Sequence, residues 1–242
     1  MPHESALSIA VLLPDLLGTY GDIGNAHVLA QRARWRGIPA TIVQVTSDRS
    51  IPSGCDIYLL GGAEDTAQER ATRLLDTDGF SAVIDAAAPV LAVCAGMQIL
   101  GRSTTDAHGT VHPGLGVLDL VTVPGRRRAI GHVTTRADPA LGLPDAKLLG
   151  FENHRGRTHR AASLPPLGTV ATGTGNGDGT DGAAAGNVIG TYLHGPVLAL
   201  NPSLADHILG QAVGRPLAPL AEPIEELARL RSSARTRRRP RR

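Results

Sequence analysis

Cys94 lies in Ala88-Pro89-Val90-Leu91-Ala92-Val93-Cys94-Ala95-Gly96-Met97-Gln98-Ile99-Leu100, an apolar run broken by a thiol and a glycine. Val90 to Val93 has the composition of a short buried strand, and Gly96 to Leu100 that of a first helical turn. A residue at such a corner stands clear of the sheet, with the following backbone N–H groups aimed at whatever it attacks, as in a nucleophile elbow. The helix N-terminus is expected to favour the thiolate, which is the attacking form. The competing expectation is a structural Cys closing a core strand. His194 ends a second strand-like run, Asn187 to Leu193. A thiolate with a His that takes and returns its proton is the minimal acyl-transfer apparatus. Gly61-Gly62 ends a third, Asp56 to Leu60. The N–H groups of Gly62 and Ala95 are therefore candidates for holding an oxyanion.

These three points need a sheet whose strands end together, and the order of elements predicts one. Leu7 to Leu13 reads as a first strand, Asp22 to Trp35 as a helix stopped by Gly37, and Thr41 to Val45 as a second strand. Arg32, Arg34 and Arg36 fall near that helix's end, where cations suit the dipole. Glu64 to Leu75 and Phe80 to Ala87 are helical candidates, as are Asn201 to Val213 and Glu222 to Leu230. The alternation predicts an α/β fold with a largely parallel sheet flanked by helices, whose ligands gather at the carboxyl ends of the strands. Gly114 to Val170 is richer in Gly and β-branched residues and is expected to form extra strands and loops. Gly173 to Gly182 reads as a flexible turn or loop and lacks the Lys-Ser/Thr ending of a P-loop.

Composition narrows the function. The chain has 242 residues, 42% hydrophobic with only six aromatics, so its core must be Ala, Val, Leu and Ile. Two Cys do not make a disulfide framework and no Cys-x-x-Cys pair suggests a metal. No signal peptide or membrane span is expected, which points to the cytoplasm. The net charge of +2 includes eight Arg within residues 229–242; the remainder carries −6. A globular part over residues 1–230 with a disordered Arg-rich tail over 231–242 is the expected organisation. The tail suits anionic lipid heads at the inner face of a membrane. Nucleic acid is not expected as a partner, because the body is acidic and poor in aromatics for base stacking.

Val93-Cys94-Ala95-Gly96-Met97-Gln98 resembles the Gly-x-Cys-x-Gly-x-Gln nucleophile motif of class I glutamine amidotransferases, with Ala92 where many relatives carry glycine. Tyr192-Leu193-His194-Gly195 resembles the histidine motif of the cobyric-acid-synthase type. Tyr20-Gly21-Asp22-Ile23-Gly24-Asn25, Gly150-Phe151-Glu152-Asn153-His154-Arg155-Gly156-Arg157-Thr158 and Gly190-Thr-Tyr-Leu-His-Gly-Pro196 are similar to motifs of the glutaminase subunits of lipid II isoglutaminyl synthases. The resemblance runs from about Ile9 to about Leu209 and leaves the basic tail outside.

The resemblance implies a flavodoxin-like class I amidotransferase fold and hydrolysis of L-glutamine through a Cys94 thioester, with His194 as acid and base. It implies a heterodimer in peptidoglycan synthesis. A Mur-ligase-like partner would hold ATP and Mg2+ and convert the D-glutamate α-carboxylate of lipid II to D-isoglutamine. No cofactor or metal is expected in this chain. Gln98 matches a position that helps to form the glutamine pocket, and Arg128 one expected to bind the substrate's α-carboxylate; Arg126 and Arg127 are adjacent competitors. Asp22 is expected at the site, at the partner interface or simply as a helix N-cap. Glu152, Asn153 and His154 either line the site or form a satisfied polar loop. Cys55 is expected to be inert packing. The usual Glu two residues after the histidine is absent in His194-Gly195-Pro196, so the partner, Asp22 or Glu152 must orient the imidazole. The alternatives are a glutaminase for a cobyrinate-type amidation and a non-catalytic scaffold that senses oxidants through its thiol.

Overall fold

The computed structural model describes residues 6–18, 21–77, 79–218 and 220. Tyr20, the helix expected over 222–230 and the Arg-rich tail lie outside the described residues. In chain order the strands begin with β1 (Leu7–Leu12), β2 (Ala40–Val45), β3 (Ile57–Leu60), β4 (Val90–Val93), β5 (Ser103–Thr105) and β6 (Val111–Pro113). They continue with β7 (Leu120–Ala137), β8 (Lys147–Arg160), β9 (Gly168–Thr172), β10 (Thr180–Asp181), β11 (Ala183–Ala185) and β12 (Val188–Thr191). The helices are α1 (Ile23–Arg34), α2 (Asp65–Thr77), α3 (Ser81–Asp85), α4 (Ala95–Leu100), α5 (Val197–Leu200) and α6 (Pro202–Ala212).

The first sheet has the order β2-β1-β3-β4-β12-β11, parallel throughout except for the β11 edge. Its central strands Ile57-Tyr-Leu-Leu60 and Val90-Leu-Ala-Val93 are buried at every position. Such runs arise when helices cover both faces and no residue needs to face water. The order is that of a flavodoxin-like doubly wound sheet, as the alternation predicts.

One detail of α1 departs from the dipole expectation. Arg32 is buried and grips Asp206 of α6 with both oxygens, Nε to Oδ1 at 2.8 Å and Nη2 to Oδ2 at 2.7 Å. Arg36 adds a contact to Oδ2 at 2.6 Å. The cations thus tie the first helix to the last described one. Removing Asp206 would strand buried guanidinium charge, which costs about 3–5 kcal/mol in comparable pairs.

The middle of the chain forms a second sheet, in the order β10-β9-β7-β5-β6 with β8 also on β7. Its spine is the antiparallel pair β7 and β8, whose register shifts between Pro124 and Ala129. The shift falls on Gly125-Arg-Arg-Arg128, the charged interruption that obscures an 18-residue strand in the sequence. The loop over 173–182, expected to be flexible, is instead tightly fastened. Asn176 is buried and donates through Nδ2 to Gly182 O at 2.9 Å and to Thr180 Oγ1 at 3.0 Å. Glu152 accepts from the N–H groups of Thr174 and Gly175 at 2.9 and 3.0 Å. A buried carboxylate and a buried amide together supply the partners that a glycine-rich backbone lacks.

The two sheets meet beside His194. Phe151 of β8 and His194 exchange backbone hydrogen bonds at 3.2 and 2.8 Å. No helix among the described residues is long and apolar enough to cross a membrane.

Candidate active site

β3, β4 and β12 are neighbours, so their carboxyl ends bring Gly61-Gly62, Cys94 and the approach to His194 to one edge. Thr191 pairs with Val93, and the Cys94 N–H donates to Thr191 O at 2.8 Å. The backbone leaves β4 abruptly: Cys94 has φ 53° and ψ −106°. That conformation is costly for a residue with a Cβ, by about 1–3 kcal/mol, and is characteristic of positions where the turn serves chemistry. Gly96 lets α4 press onto β3, since a Cβ there would sit 2.7 Å from Leu60 Cβ and 2.9 Å from its carbonyl oxygen. The elbow expected from the sequence is present.

Its protonation differs from the expectation. Burial pushes the Cys94 thiol up to about 12, and the negative charges of Asp22 and Glu64 add to this. The Ala95 N–H bonded to the sulfur and the Arg128 charge pull the other way and do not prevail. A six-residue helix in a dry setting is too weak to hold a thiolate. His194 is likewise buried, which, with the electrostatic influence of His154 and Arg128, lowers it to about 4. The resting pair at neutral pH is therefore neutral thiol and neutral imidazole, a nucleophile awaiting its base.

Asp22 precedes α1 but its side chain makes no capping bond. Its Oδ2 accepts from the Gly62 N–H at 2.7 Å, and its Oδ1 lies 4.0 Å from His194 Nδ1. Burial raises the carboxyl to about 6. The helix-cap expectation thus gives way to a place in the site. The same bond bears on the expected oxyanion hole, because it engages the Gly62 N–H with the Asp22 carboxylate. Ala95 keeps its expected position beside the sulfur.

A cleft of about 80 Å3 opens on Cys94 and is lined by Glu64, Gln98, Arg128, Asn153 and His154, among others. Arg128 projects from β7 and donates through Nε to Asn153 Oδ1 on β8 at 2.7 Å. Of the three polar neighbours expected near the site, Asn153 and His154 line this cleft. Glu152 does not, because it is committed to the loop at Thr174 and Gly175 and lies 3.4 Å from His154 Nε2. Cys55 stands before β3, at the opposite edge of the parallel sheet from Cys94, and burial raises its thiol too. A larger groove, about 800 Å3, follows α6 past Leu141 and Leu217 and contains none of these residues. Among the described residues no three His, Cys, Asp or Glu side chains group as a metal site requires.

Sequence reasoning missed what lies behind the cleft. Tyr192, Thr158 and Thr122 form a buried chain of hydroxyls that reaches Gln98. Asp181, fully buried and raised to about 6 by burial, accepts from the Thr191 hydroxyl at 2.6 Å. The available signal was Tyr192 itself, a hydroxylated aromatic inside a run otherwise fit for a core strand.

A neutral thiol on a strained corner, a neutral histidine from the next strand and an Arg over the cleft are the parts that acyl transfer from an amide requires, set on a flavodoxin-like sheet. The chain belongs to the CobB/CobQ-like glutamine amidotransferase domain family, which it matches over residues 8–202. It is 36% identical over 228 residues to the lipid II isoglutaminyl synthase (glutamine-hydrolyzing) subunit GatD of Staphylococcus aureus, covering 92% of this chain and 90% of that protein. It is 33% identical to the cobyric acid synthase of Albidiferax ferrireducens, covering 73% of this chain but 37% of that protein. A glutamine amidotransferase from Thermotoga maritima has a similar fold, with a TM-score of 0.55 at 16% identity, covering 96% of this chain and 98% of that one.

Proposed function

We propose that the chain is the glutaminase subunit of a lipid II isoglutaminyl synthase. The observation that carries this reading is the placement of Cys94 and His194 just beyond the ends of two paired parallel strands, in a chain that covers 90% of one such subunit. The cobyrinate alternative is less favoured because the match to a cobyric acid synthase covers 73% of this chain at 33% identity, against 92% at 36% for the GatD subunit.

In this reading Arg128 takes the α-carboxylate of L-glutamine, a role suited to a guanidinium fork. His194, neutral at working pH, accepts the thiol proton as the Cys94 sulfur attacks the side-chain carbonyl. The sulfur–carbon bond forms, negative charge collects on the oxygen, and the Ala95 N–H stabilises it. Gly62 can add a second donor once Asp22 releases it. Collapse breaks the carbon–nitrogen bond, and the imidazolium returns its proton to the leaving ammonia. Water, deprotonated by the same imidazole, then cleaves the thioester to glutamate.

The ammonia is delivered to a Mur-ligase-like partner carrying ATP and Mg2+. There it amidates the activated α-carboxylate of D-glutamate in lipid II. Ammonia lost to solvent is protonated and no longer nucleophilic, so a shielded path raises its effective concentration. The proposed organisation is an amidotransferase domain over residues 1–230 with an Arg-rich tail, and the tail suits contact with anionic lipid at the cytoplasmic face. The test is co-purification with the partner and transfer of 15N from amide-labelled glutamine into lipid II. Label in the D-isoglutamine amide supports the reading; label appearing only in free ammonium, with ligase and ATP present, overturns it.

A further inference from the structure

Gln98 stands on α4, one turn beyond Cys94, with its carboxamide in the wall of the cleft. A carboxamide has two unlike ends, and which end faces the cleft decides what the wall can recognise. The structure fixes this from behind. Gln98 Nε2 donates to Tyr192 Oη at 3.0 Å. Tyr192 Oη lies 2.7 Å from Thr158 Oγ1, which lies 2.9 Å from Thr122 Oγ1. All four residues are buried. A tyrosine hydroxyl has one proton, and with Gln98 as its donor that proton is left for Thr158 to accept, while the Thr158–Thr122 bond can run in either sense.

Tyr192 is itself held firmly. Its ring stacks on the His154 imidazole, with centroids 3.7 Å apart and planes 11° from parallel. Its backbone N–H donates to Asp181 Oδ1 at 3.3 Å. Across the hydroxyl, Gly156 leaves room that no other residue would leave. A Cβ there would lie 2.7 Å from both Gln98 Nε2 and Tyr192 Oη. Ring and glycine therefore fix the hydroxyl's place, and the Gln98 Nε2 bond to it leaves the amide's oxygen for the cleft.

We infer that Tyr192 is a positioning residue that turns the Gln98 oxygen toward the cleft, so that the site prefers a carboxamide to a carboxylate. A carbonyl oxygen in that wall accepts from an N–H of the substrate's amide and repels the carboxylate of product glutamate. A site built to pair with an N–H discriminates against a ligand lacking it far better than an apolar wall does. The inference rests on the glutaminase reading and adds what tells substrate from product.

The test compares wild type with Tyr192→Phe, each with its ligase partner, for glutamine turnover, inhibition by glutamate and alkylation of Cys94 by a diazoketone analogue of glutamine. The diazoketone has no amide N–H and reports the rest of the pocket. Tyr192→Phe keeps the ring and its stack but frees the Gln98 amide to turn. The expected result is a KM for glutamine raised about tenfold and tighter inhibition by glutamate, with kcat and the alkylation rate changed less than about twofold. Unchanged KM and unchanged glutamate inhibition, or an equal loss of turnover and alkylation, overturns the inference. Thr158→Val, which removes the acceptor for the Tyr192 proton and lets the hydroxyl donate to Gln98 Oε1, is predicted to give the same pattern and serves if Tyr192→Phe fails to fold. Failure of the underlying reading is separate: wild type would then not hydrolyse glutamine at all.

Discussion

Asp22 holds the Gly62 N–H with one oxygen at 2.7 Å and presents the other to His194 Nδ1 at 4.0 Å. The second distance is longer than a hydrogen bond, so the carboxylate stands beside the base at ion-pair range. A carboxylate brought into hydrogen-bond range of the imidazole holds its tautomer and stabilises its cation, and in triad logic loss of that contact costs orders of magnitude in rate. The isolated subunit is predicted to be a poor glutaminase, and adding the ligase partner is predicted to raise turnover chiefly through kcat. Asp22→Asn separates the two sources of an acid. If the partner's docking closes the Asp22–His194 gap, the variant loses the stimulation; if the partner brings its own carboxylate, the stimulation persists. Equal kcat with and without the partner would show that docking adds nothing to the action of the base.

The same carboxyl sets a pH dependence. Burial raises Asp22 from 3.8 to about 6, so the folded state resists its ionisation. Stability associated with this group is present below pH 3.8 and is lost as pH rises through about 6. The size of the shift corresponds to roughly 3 kcal/mol. Asp22→Asn, which still accepts from Gly62, is predicted to gain stability relative to wild type between pH 4 and pH 7, read as the difference in denaturant midpoints at the two pH values. A constant difference across that range would refute the assignment.

His194 gives an opposite sign in activity. With the imidazole lowered to about 4, it remains a competent base through mildly acidic pH and is lost only as pH falls toward that value. The acid limb of kcat/KM is therefore predicted to lie well below the 6.5 of an ordinary histidine. His194→Ala is predicted to lower kcat by at least about a thousandfold, since thiol deprotonation and leaving-group protonation use the same ring. A pH profile with its acid limb at 6.5 would show that the imidazole is solvated in the working enzyme.

The legible part of this site was the part that interrupts a pattern. Cys94 breaks an apolar strand, Gly61-Gly62 closes another, and three strand ends in a parallel sheet must share an edge. What stayed hidden depends on contacts between residues far apart in sequence. Nothing local to Asp22 says that its carboxylate reaches Gly62, 40 residues on. Glu152 in sequence fits a site residue and a satisfied polar loop equally well; only the fold shows that it fastens Thr174 and Gly175. The thiolate expectation failed for the same reason, since the desolvation of Cys94 comes from the packing of both sheets around it.

The Arg-rich segment supplies a further test. Truncation after Leu230 removes seven of the eight Arg in residues 229–242 and no residue of the site. Glutamine turnover with the partner is predicted to stay within twofold of the full chain. Binding to anionic vesicles is predicted to weaken, and the full chain's binding to fall as salt shortens the Debye length. Vesicle binding by the full chain that ignores salt, or none at all, would remove the membrane role.

Every proposed step of the reaction depends on Cys94 as the nucleophile. Acid quenching of the complex during glutamine turnover, followed by mass spectrometry of the cysteine peptides, reads this directly. The prediction is a γ-glutamyl thioester on Cys94 alone, with Cys55 unmodified, and no ammonia release by Cys94→Ala. Turnover that persists in Cys94→Ala, or a glutamyl adduct on any other residue, would contradict it.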